Sequence, residues 1–125
     1  MFLGWYEFFT SRLYRYEQFY SNWVSGKFTG KVYILRYDDL SKKFAEAVKS
    51  VVKMLADKEV DQNVLSCMIR NREGDFHRPA PNFTREDIFT RRDEARMQEV
   101  KERVDKKIKA CMDEGLCVDI ISGHV

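Results

Sequence analysis

Basic side chains gather around a glycine in residues 70–84, which read R-N-R-E-G-D-F-H-R-P-A-P-N-F-T. The residues that could do chemistry in this segment are Arg70, Arg72, Gly74, His77 and Arg78. A guanidinium group can bind phosphate oxygens through two parallel hydrogen bonds, and a glycine lets backbone N–H groups approach an anion closely. The segment could therefore hold a phosphate, although its composition alone fits an ordinary surface loop better.

A second glycine-containing segment, G-K-F-T-G-K at residues 26–31, has a superficial likeness to a Walker phosphate loop. A Walker loop has four residues between its glycines, a Ser or Thr after its lysine, and a position between a strand and a helix. Here three residues separate the glycines, Val32 follows the lysine, and the segment precedes the predicted strand. We therefore assign no Walker loop to it.

The N-terminal segment 1–28 is unusually aromatic, because 11 of the 17 aromatic residues lie there. Apolar residues recur every three to four positions between Phe8 and Trp23, which predicts an aromatic helix with a wide apolar face within this segment. Aromatic side chains bury a large area, so we interpret this face mainly as part of a hydrophobic core. Gly26 and Gly30 then favour a turn.

Residues 31–57 predict a strand, a turn and a helix. The run K-V-Y-I-L-R-Y at 31–37 is rich in β-branched and aromatic residues without helical spacing, as in a largely buried strand. Asp38 to Ser41 suits a turn, and the helix after it has one apolar face up to about Ala56. A strand leading into an amphipathic helix is half of a parallel α/β unit. We therefore predict an α/β fold, mostly helical in this chain, with one main parallel strand whose sheet partners are not evident.

The second half of the chain predicts helices on both sides of the basic loop. Residues 61–69 suit a short helix, and two prolines and a glycine indicate that the basic segment itself is a loop. Thr84 and Asp87 have the spacing of a capping box and open a charged helix over 85–113, whose thin apolar stripe rests on a surface. From Gly115 onward the tail is predicted to be irregular.

The composition is that of one globular domain, with 125 residues, 44% apolar and 34% charged, and a formal net charge of +2. We treat residues 1–125 as a single domain, because one core typically needs about 100–150 residues, and as a partial one, because the rest of the sheet is not evident in the sequence. The balanced charge argues against nucleic acid, and no stretch approaches the roughly 18 apolar residues of a membrane segment. Cys111 and Cys117 could close a small disulfide loop, but reduced thiols fit the sequence equally well.

The basic loop resembles the C-terminal loop of sulfotransferases that use 3′-phosphoadenylyl sulfate (PAPS). That loop combines basic residues, a glycine, Asp or Asn, an aromatic residue, Lys or Arg, and a later Phe-Thr. The segment K-V-Y-I-L-R-Y-D-D-L at 31–40 is similar to the strand and turn of the same family. The likeness is greatest to the sulfotransferase-like domain of WSC-domain-containing proteins, because L-S-C at 65–67 precedes G-D-F-H-R as an L-x-C segment does there. The resemblance covers roughly residues 5–84.

This resemblance implies the C-terminal portion of a P-loop-type sulfotransferase domain, with PAPS as donor, a hydroxyl-bearing acceptor such as a carbohydrate, and the Golgi lumen as location. Arg70, Arg72 and Gly74 would face the 3′-phosphate, with His77 or Arg78 in the family's basic position after the aromatic residue. The pattern before Gly74 has one residue fewer than the family's, so which arginine contacts the phosphate stays open. No segment matches the family's phosphosulfate-binding loop or catalytic base, so we expect no catalysis by this chain alone.

Two further features fall outside this interpretation. Asn82-Phe83-Thr84 is an N-glycosylation sequon, which we interpret as coincidental because such triplets often arise by chance.

The alternative function is a small helical interaction module that docks through its aromatic N-terminal helix, a surface that also predicts self-association. The strand and turn at 31–40 favour the sulfotransferase interpretation, because an interaction bundle does not need them.

Overall fold

A computed structural model describes the backbone of residues 2–74 and 80–121, and the side chains of residues 4–74 and 80–121. The elements in chain order are α1 (Phe2–Trp23), β1 (Val32–Ile34), α2 (Tyr37–Lys42), α3 (Phe44–Ala56), α4 (Gln62–Arg70), α5 (Arg85–Ile88), α6 (Arg91–Asp113) and β2 (Cys117–Asp119). These described residues are mostly helical with one two-stranded parallel sheet, which is compatible with a mixed α/β fold. The chain divides into two compact units, one combining the residues up to Val32 with Pro81–Cys117, the other combining Tyr33–Ala80 with the residues from Val118.

The first unit is built on two long parallel helices, α1 and α6. Side-chain hydrogen bonds donated by α6 join three pairs of residues: Arg96 donates to Thr10, Arg103 donates twice to Glu17, and Lys107 donates to Ser21. The partners in every pair are 86 positions apart, and a constant separation means that the two helices run in the same direction. Successive pairs follow at seven and four residues, which keeps them on one face of each helix.

The packed interior of this unit comes from the apolar stripe of α6 and one aromatic side chain of α1. Val100, Val104 and Ile108 are buried at four-residue spacing, and Phe9 is buried on α1. Residues four apart share a helix face, so these three form a continuous contact surface. These three residues belong to the apolar stripe that the sequence predicts for the charged helix, and the helix on which they pack is α1. Ile88, which the same pattern assigns to the stripe, lies on α5 and is 36% exposed.

The charged helix expected over 85–113 is interrupted between α5 and α6. Each part starts with its own capping box, formed by Thr84 and Asp87 at α5 and by Thr90 and Asp93 at α6. At α6 the Thr90 hydroxyl accepts a hydrogen bond from the Asp93 N–H at 3.1 Å, and the Asp93 carboxylate accepts one from the Thr90 N–H at 3.1 Å. The second box satisfies N–H groups that a new helix leaves unpaired, so the chain can restart there.

The strand expected at 31–37 is shorter in the structure. β1 ends at Ile34, and the helix α2 begins at Tyr37, where the sequence indicates the end of the strand. Asp38 and Asp39 lie in the first turn of α2, and acidic side chains there are favourable because they face the positive end of the helix dipole. Local electrostatics therefore converts the expected strand end and turn into a helix.

The tail that was expected to be irregular supplies the partner strand β2. The Val32 N–H donates to the Leu116 carbonyl at 2.9 Å, and the Ile120 N–H donates to the Ile34 carbonyl at 3.0 Å. Both strands advance in the same direction between these bonds, which defines a parallel pair. The single predicted strand is therefore paired along one edge.

A disulfide between Cys111 and Cys117 joins the end of α6 to the first residue of β2. Both cysteines are buried. Gly115 has a φ of +75° between them, a value that glycine adopts without strain and that lets the chain reverse. Of the two thiol states that the sequence leaves open, the structure has the disulfide, and Cys67 is free and exposed.

The second unit packs α3 against α4 around a small core formed by Ala47, Val48 and Leu65. Asp57 follows α3 in the left-handed conformation, with a φ of 50°, and its N–H donates to the Lys53 carbonyl. At the start of α4 the Asp61 carboxylate accepts hydrogen bonds from the backbone N–H groups of Asn63 and Val64. These caps fix the end of α3 and the start of α4.

Most of the aromatic face of α1 lies on the surface. Trp5, Phe8, Phe19 and Trp23, which we call the aromatic row, are 39%, 50%, 57% and 47% exposed. The interpretation of this face as mainly core is therefore wrong. The stripe of α6 presents about one apolar side chain per turn, which covers only a narrow strip of α1.

Candidate functional site

The candidate site begins where α4 ends. Arg70 is the last residue of α4, and Asn71 caps the helix by donating its backbone N–H and its side-chain amide to the Cys67 carbonyl, at 3.1 and 2.9 Å. The Gly74 N–H then donates to the Asn71 carbonyl at 3.1 Å and closes a turn that contains Arg72. We call Arg70 to Gly74 the arginine turn. Its backbone is fixed by hydrogen bonds within the turn and to the last turn of α4.

Gly74 is required by the conformation of the arginine turn. Its φ is +63°, in a region that L side chains rarely adopt. No described atom lies within 4 Å of the position that a Cβ would take, so the requirement is conformational rather than steric. As far as the described residues go, the space beside the Gly74 backbone is open, as the close approach of an anion to N–H groups requires.

Both described arginines of the turn are exposed. The Arg72 Nε lies 3.9 Å from the Glu73 Oε1, and these side chains are 50% and 71% exposed. An ion pair of that length and exposure contributes little stability, so a phosphate could displace the carboxylate. Arg70 forms no ion pair with any residue of the described ranges. Because a guanidinium group stays protonated, Arg70 and Arg72 can bind an anion but cannot accept a proton from a substrate.

His77 and Arg78 lie outside the described residues, as does the aromatic Phe76 between them and Gly74. Their assignment to the basic position after the aromatic residue stays a prediction. The structure brings Arg70, Arg72 and Gly74 into one turn, as the candidate site requires.

The far end of the basic loop is anchored at the start of α5. The Thr84 N–H and hydroxyl donate to the Asp87 Oδ2 at 2.6 and 3.0 Å. The backbone N–H of Thr84 stabilises the carboxylate and thereby lowers the pKa of Asp87. Arg85 forms a bidentate ion pair with Glu94, with an Nη2–Oε2 distance of 2.6 Å. The charge of Arg85 is therefore already balanced.

Sequence reasoning missed an apolar groove of the first unit, with a volume of about 400 Å³. Its apolar wall comes from α1, α6 and the connection between α5 and α6, with Phe8, Phe9, Leu13, Phe89 and Met97 among its residues. Arg12 and Lys101 add positive charge to its lining. The aromatic spacing of α1 indicates an apolar face, but only the break before α6 places Phe89 beside Phe9, with ring centroids 5.8 Å apart.

No family model, curated protein or solved structure matches this chain. Among the described residues, no three His, Cys, Asp or Glu side chains are grouped so that they could hold a metal ion. Within the same residues, no helix combines the length and apolar character needed to cross a membrane. The arginine turn and the elements that lead into it are therefore the features that bear on function.

Proposed function

We propose that this chain is the C-terminal portion of a sulfotransferase-like domain and that it binds the 3′-phosphate of the sulfate donor PAPS. In this proposal Arg70 and Arg72 bind the phosphate oxygens and the backbone beside Gly74 approaches them. His77 or Arg78, which follow Phe76 in the sequence, adds positive charge. The parent domain transfers the sulfuryl group to a hydroxyl-bearing acceptor, such as a carbohydrate.

The observation that carries this proposal is the parallel pairing of β1. Two parallel strands need a long crossover connection, and parallel sheets occur mainly in α/β proteins. The helices α2 and α3 follow β1 directly, and the arginine turn follows α4. This order of strand, helix, short helix and basic turn is the order of the motifs that resemble the sulfotransferase family.

The chemistry of the arginine turn suits a phosphate monoester. Such a group carries up to two negative charges, and each arginine can offer it two parallel N–H donors. A guanidinium group cannot remove a proton from an acceptor hydroxyl, so the role that we propose for Arg70 and Arg72 is donor binding. The disulfide is also typical of an oxidising compartment, and the Golgi lumen of the resemblance is reached through one.

The test is calorimetric titration of the full chain with adenosine 3′,5′-bisphosphate. A hydrogen bond to a charged group contributes about 1.5–3 kcal/mol, so the double variant Arg70→Ala, Arg72→Ala should lose about 100-fold or more in affinity. Adenosine 5′-monophosphate should bind no better to the unaltered chain than to this variant, because it lacks the 3′-phosphate.

The matched control is Arg91→Ala, Arg92→Ala, which removes the same charge from two exposed arginines of α6. Its affinity should equal that of the unaltered chain. Equal affinity of the Arg70, Arg72 double variant and the unaltered chain would contradict the proposal, and so would equal affinity for the two nucleotides.

A second candidate function is supported by the aromatic row of α1. Its four side chains follow one another along one side of the helix at positions 5, 8, 19 and 23, and all are more than a third exposed. Exposed aromatic surface of this extent is typical of a docking site for another protein. As the docking partner we propose a second copy of the chain, which would cover both rows at once.

Sedimentation over a concentration series tests this second candidate. The double variant Phe8→Ser, Phe19→Ser should stay monomeric at concentrations at which the unaltered chain associates. Tyr14→Ser is the matched control, because Tyr14 is 63% exposed on α1 but lies off the row. A chain that is monomeric throughout, or a control that dissociates as the double variant does, would exclude the row as the contact.

A further inference from the structure

We propose that Asn82 is an N-glycosylation site and carries an N-linked glycan when the chain enters the secretory pathway. Among the four asparagines of the chain, at positions 22, 63, 71 and 82, only Asn82 is followed by a threonine or serine two residues later. From the sequence alone, a coincidental triplet is the expectation. Two structural observations change that interpretation.

The first observation is the position of Asn82 in the fold. Asn82 is exposed, and residues 81–84 lie outside any helix or strand, immediately before α5. Its neighbour Phe83 is 55% exposed, and Thr84 is exposed as well, so no side chain of the triplet belongs to the core. A glycan attached to the Asn82 side chain therefore displaces no packed residue, which is the surface-loop setting that an acceptor asparagine needs.

The second observation is the disulfide between Cys111 and Cys117, which belongs to the same compact unit as Asn82. Disulfides form and persist in the endoplasmic reticulum and beyond, and are rare in reducing compartments. N-linked glycans are attached in the same oxidising lumen. The pair of cysteines and the sequon thus point to one compartment through two independent kinds of chemistry.

The reaction that modifies Asn82 is a transfer of an oligosaccharide from a polyisoprenyl pyrophosphate donor. A bond forms between the Asn82 Nδ2 and C1 of the first sugar, and the bond between C1 and the pyrophosphate oxygen breaks. The pyrophosphate leaves with the electron pair, and the amide nitrogen loses one proton. Before α5 forms, the Thr84 hydroxyl is not yet held by Asp87 and can be recognised as part of the triplet.

This inference does not rest on the proposed donor-binding function, because neither observation involves Arg70 or Arg72. Asn82 lies in the first unit, whereas the arginine turn lies in the second. A glycan on Asn82 and a phosphate on the arginine turn are therefore separately testable. Each can fail while the other holds.

The experiment is translation of the full chain behind a cleavable secretory leader in the presence of endoplasmic-reticulum microsomes. We expect one stepwise decrease in gel mobility. Peptide-N-glycosidase should reverse it and leave aspartate at position 82 in the peptide mass spectrum. Asn82→Gln should abolish the step. Thr84→Ser should retain it, because serine keeps both the hydroxyl of the sequon and the cap of α5.

Two readouts keep the result decisive. Protease protection by the microsomes shows that the chain has entered the lumen, and alkylation of Cys67 alone shows that the disulfide has formed. A protected chain without the mobility step would overturn the proposal, whatever the state of its cysteines. A step that persists in Asn82→Gln would overturn it as well, since the glycan would then be elsewhere.

Discussion

Removal of the disulfide should destabilise the chain by an amount that its short loop sets. Cys111 and Cys117 are separated by 6 positions, and closing a loop of that length lowers the entropy of the unfolded chain by an amount equivalent to about 2 kcal/mol. For a chain of this size, a loss of about 2 kcal/mol lowers Tm by roughly 6–10 °C. The double variant Cys111→Ala, Cys117→Ala should therefore show this shift, increased by the lost packing of two buried sulfur atoms.

The assay is thermal unfolding followed by far-ultraviolet circular dichroism, supported by urea titration. Cys67→Ala is the matched control, because Cys67 is exposed and forms no disulfide, and its Tm should be close to that of the unaltered chain. Hydrogen exchange adds a local readout, since the Val32 N–H donates to Leu116 inside the disulfide loop and should exchange faster in the double variant.

Two results would refute the reasoning on the disulfide. If thiol titration of the unfolded, unreduced chain finds three reactive thiols, the bond does not form. If the bond forms but the double variant keeps the Tm of the unaltered chain, the loop is already ordered in the unfolded state and the entropy argument fails.

Three further predictions concern the pair of α1 and α6. The hydrogen bond from Arg103 lowers the pKa of Glu17, so its stabilisation is present above the ordinary glutamate pKa of about 4.3 and is lost as pH falls through the lower folded value. Urea titrations should show this decline, and Glu17→Gln should make it shallower; equal slopes would contradict the ion pair. Thr90→Ala should cost about 1 kcal/mol by removing the cap of α6, whereas Thr90→Ser should be neutral, and equal urea midpoints would refute the cap. Val104→Ala should cost about 2 kcal/mol because this side chain is 2% exposed, and a loss no larger than that of Lys101→Ala would show that the stripe is not packed.

The regular elements of the chain could be predicted where periodicity and caps are strong. The four-residue spacing of Val100, Val104 and Ile108 predicts a buried stripe, and the three are buried in the structure. The end of the strand could not be predicted from propensity, because Tyr37 suits a strand as well as the first residue of a helix. Asp38 and Asp39, which follow it, favour the helix because their negative charge lies at the positive end of the helix dipole.

The second strand was missed because it leaves no periodic signal. β2 has three residues, C-V-D, which is too short for an alternating pattern. It is placed by long-range bonds to β1 and by the disulfide at its first residue, and neither is visible in the local sequence. The spacing of Cys111 and Cys117 permits the disulfide, but a reduced pair has the same spacing.

The arginine turn shows a different limit of sequence reasoning. Asn71 and Gly74 indicate a turn, and the structure shows the hydrogen bonds that form it. The ligand of the turn is not fixed by these residues, because exposed arginines bind phosphates, carboxylates and solvent alike. The order of the motifs along the chain and the parallel pairing of β1 favour the PAPS donor, and this is why the nucleotide without a 3′-phosphate is the decisive comparison.

The pairing of α1 with α6 also explains why the aromatic row is exposed. A helix that packs through side chains at four-residue spacing covers a strip about one residue wide on its neighbour. The polar pairs Glu17–Arg103 and Ser21–Lys107 border that strip and fix how α1 is rotated about its own axis. With this rotation Phe8 and Phe19 cannot turn toward α6 without breaking both pairs. The exposure of the row therefore follows from specific polar contacts, and a variant that removes them, Arg103→Ala with Lys107→Ala, should bury more aromatic surface and associate less in the sedimentation series.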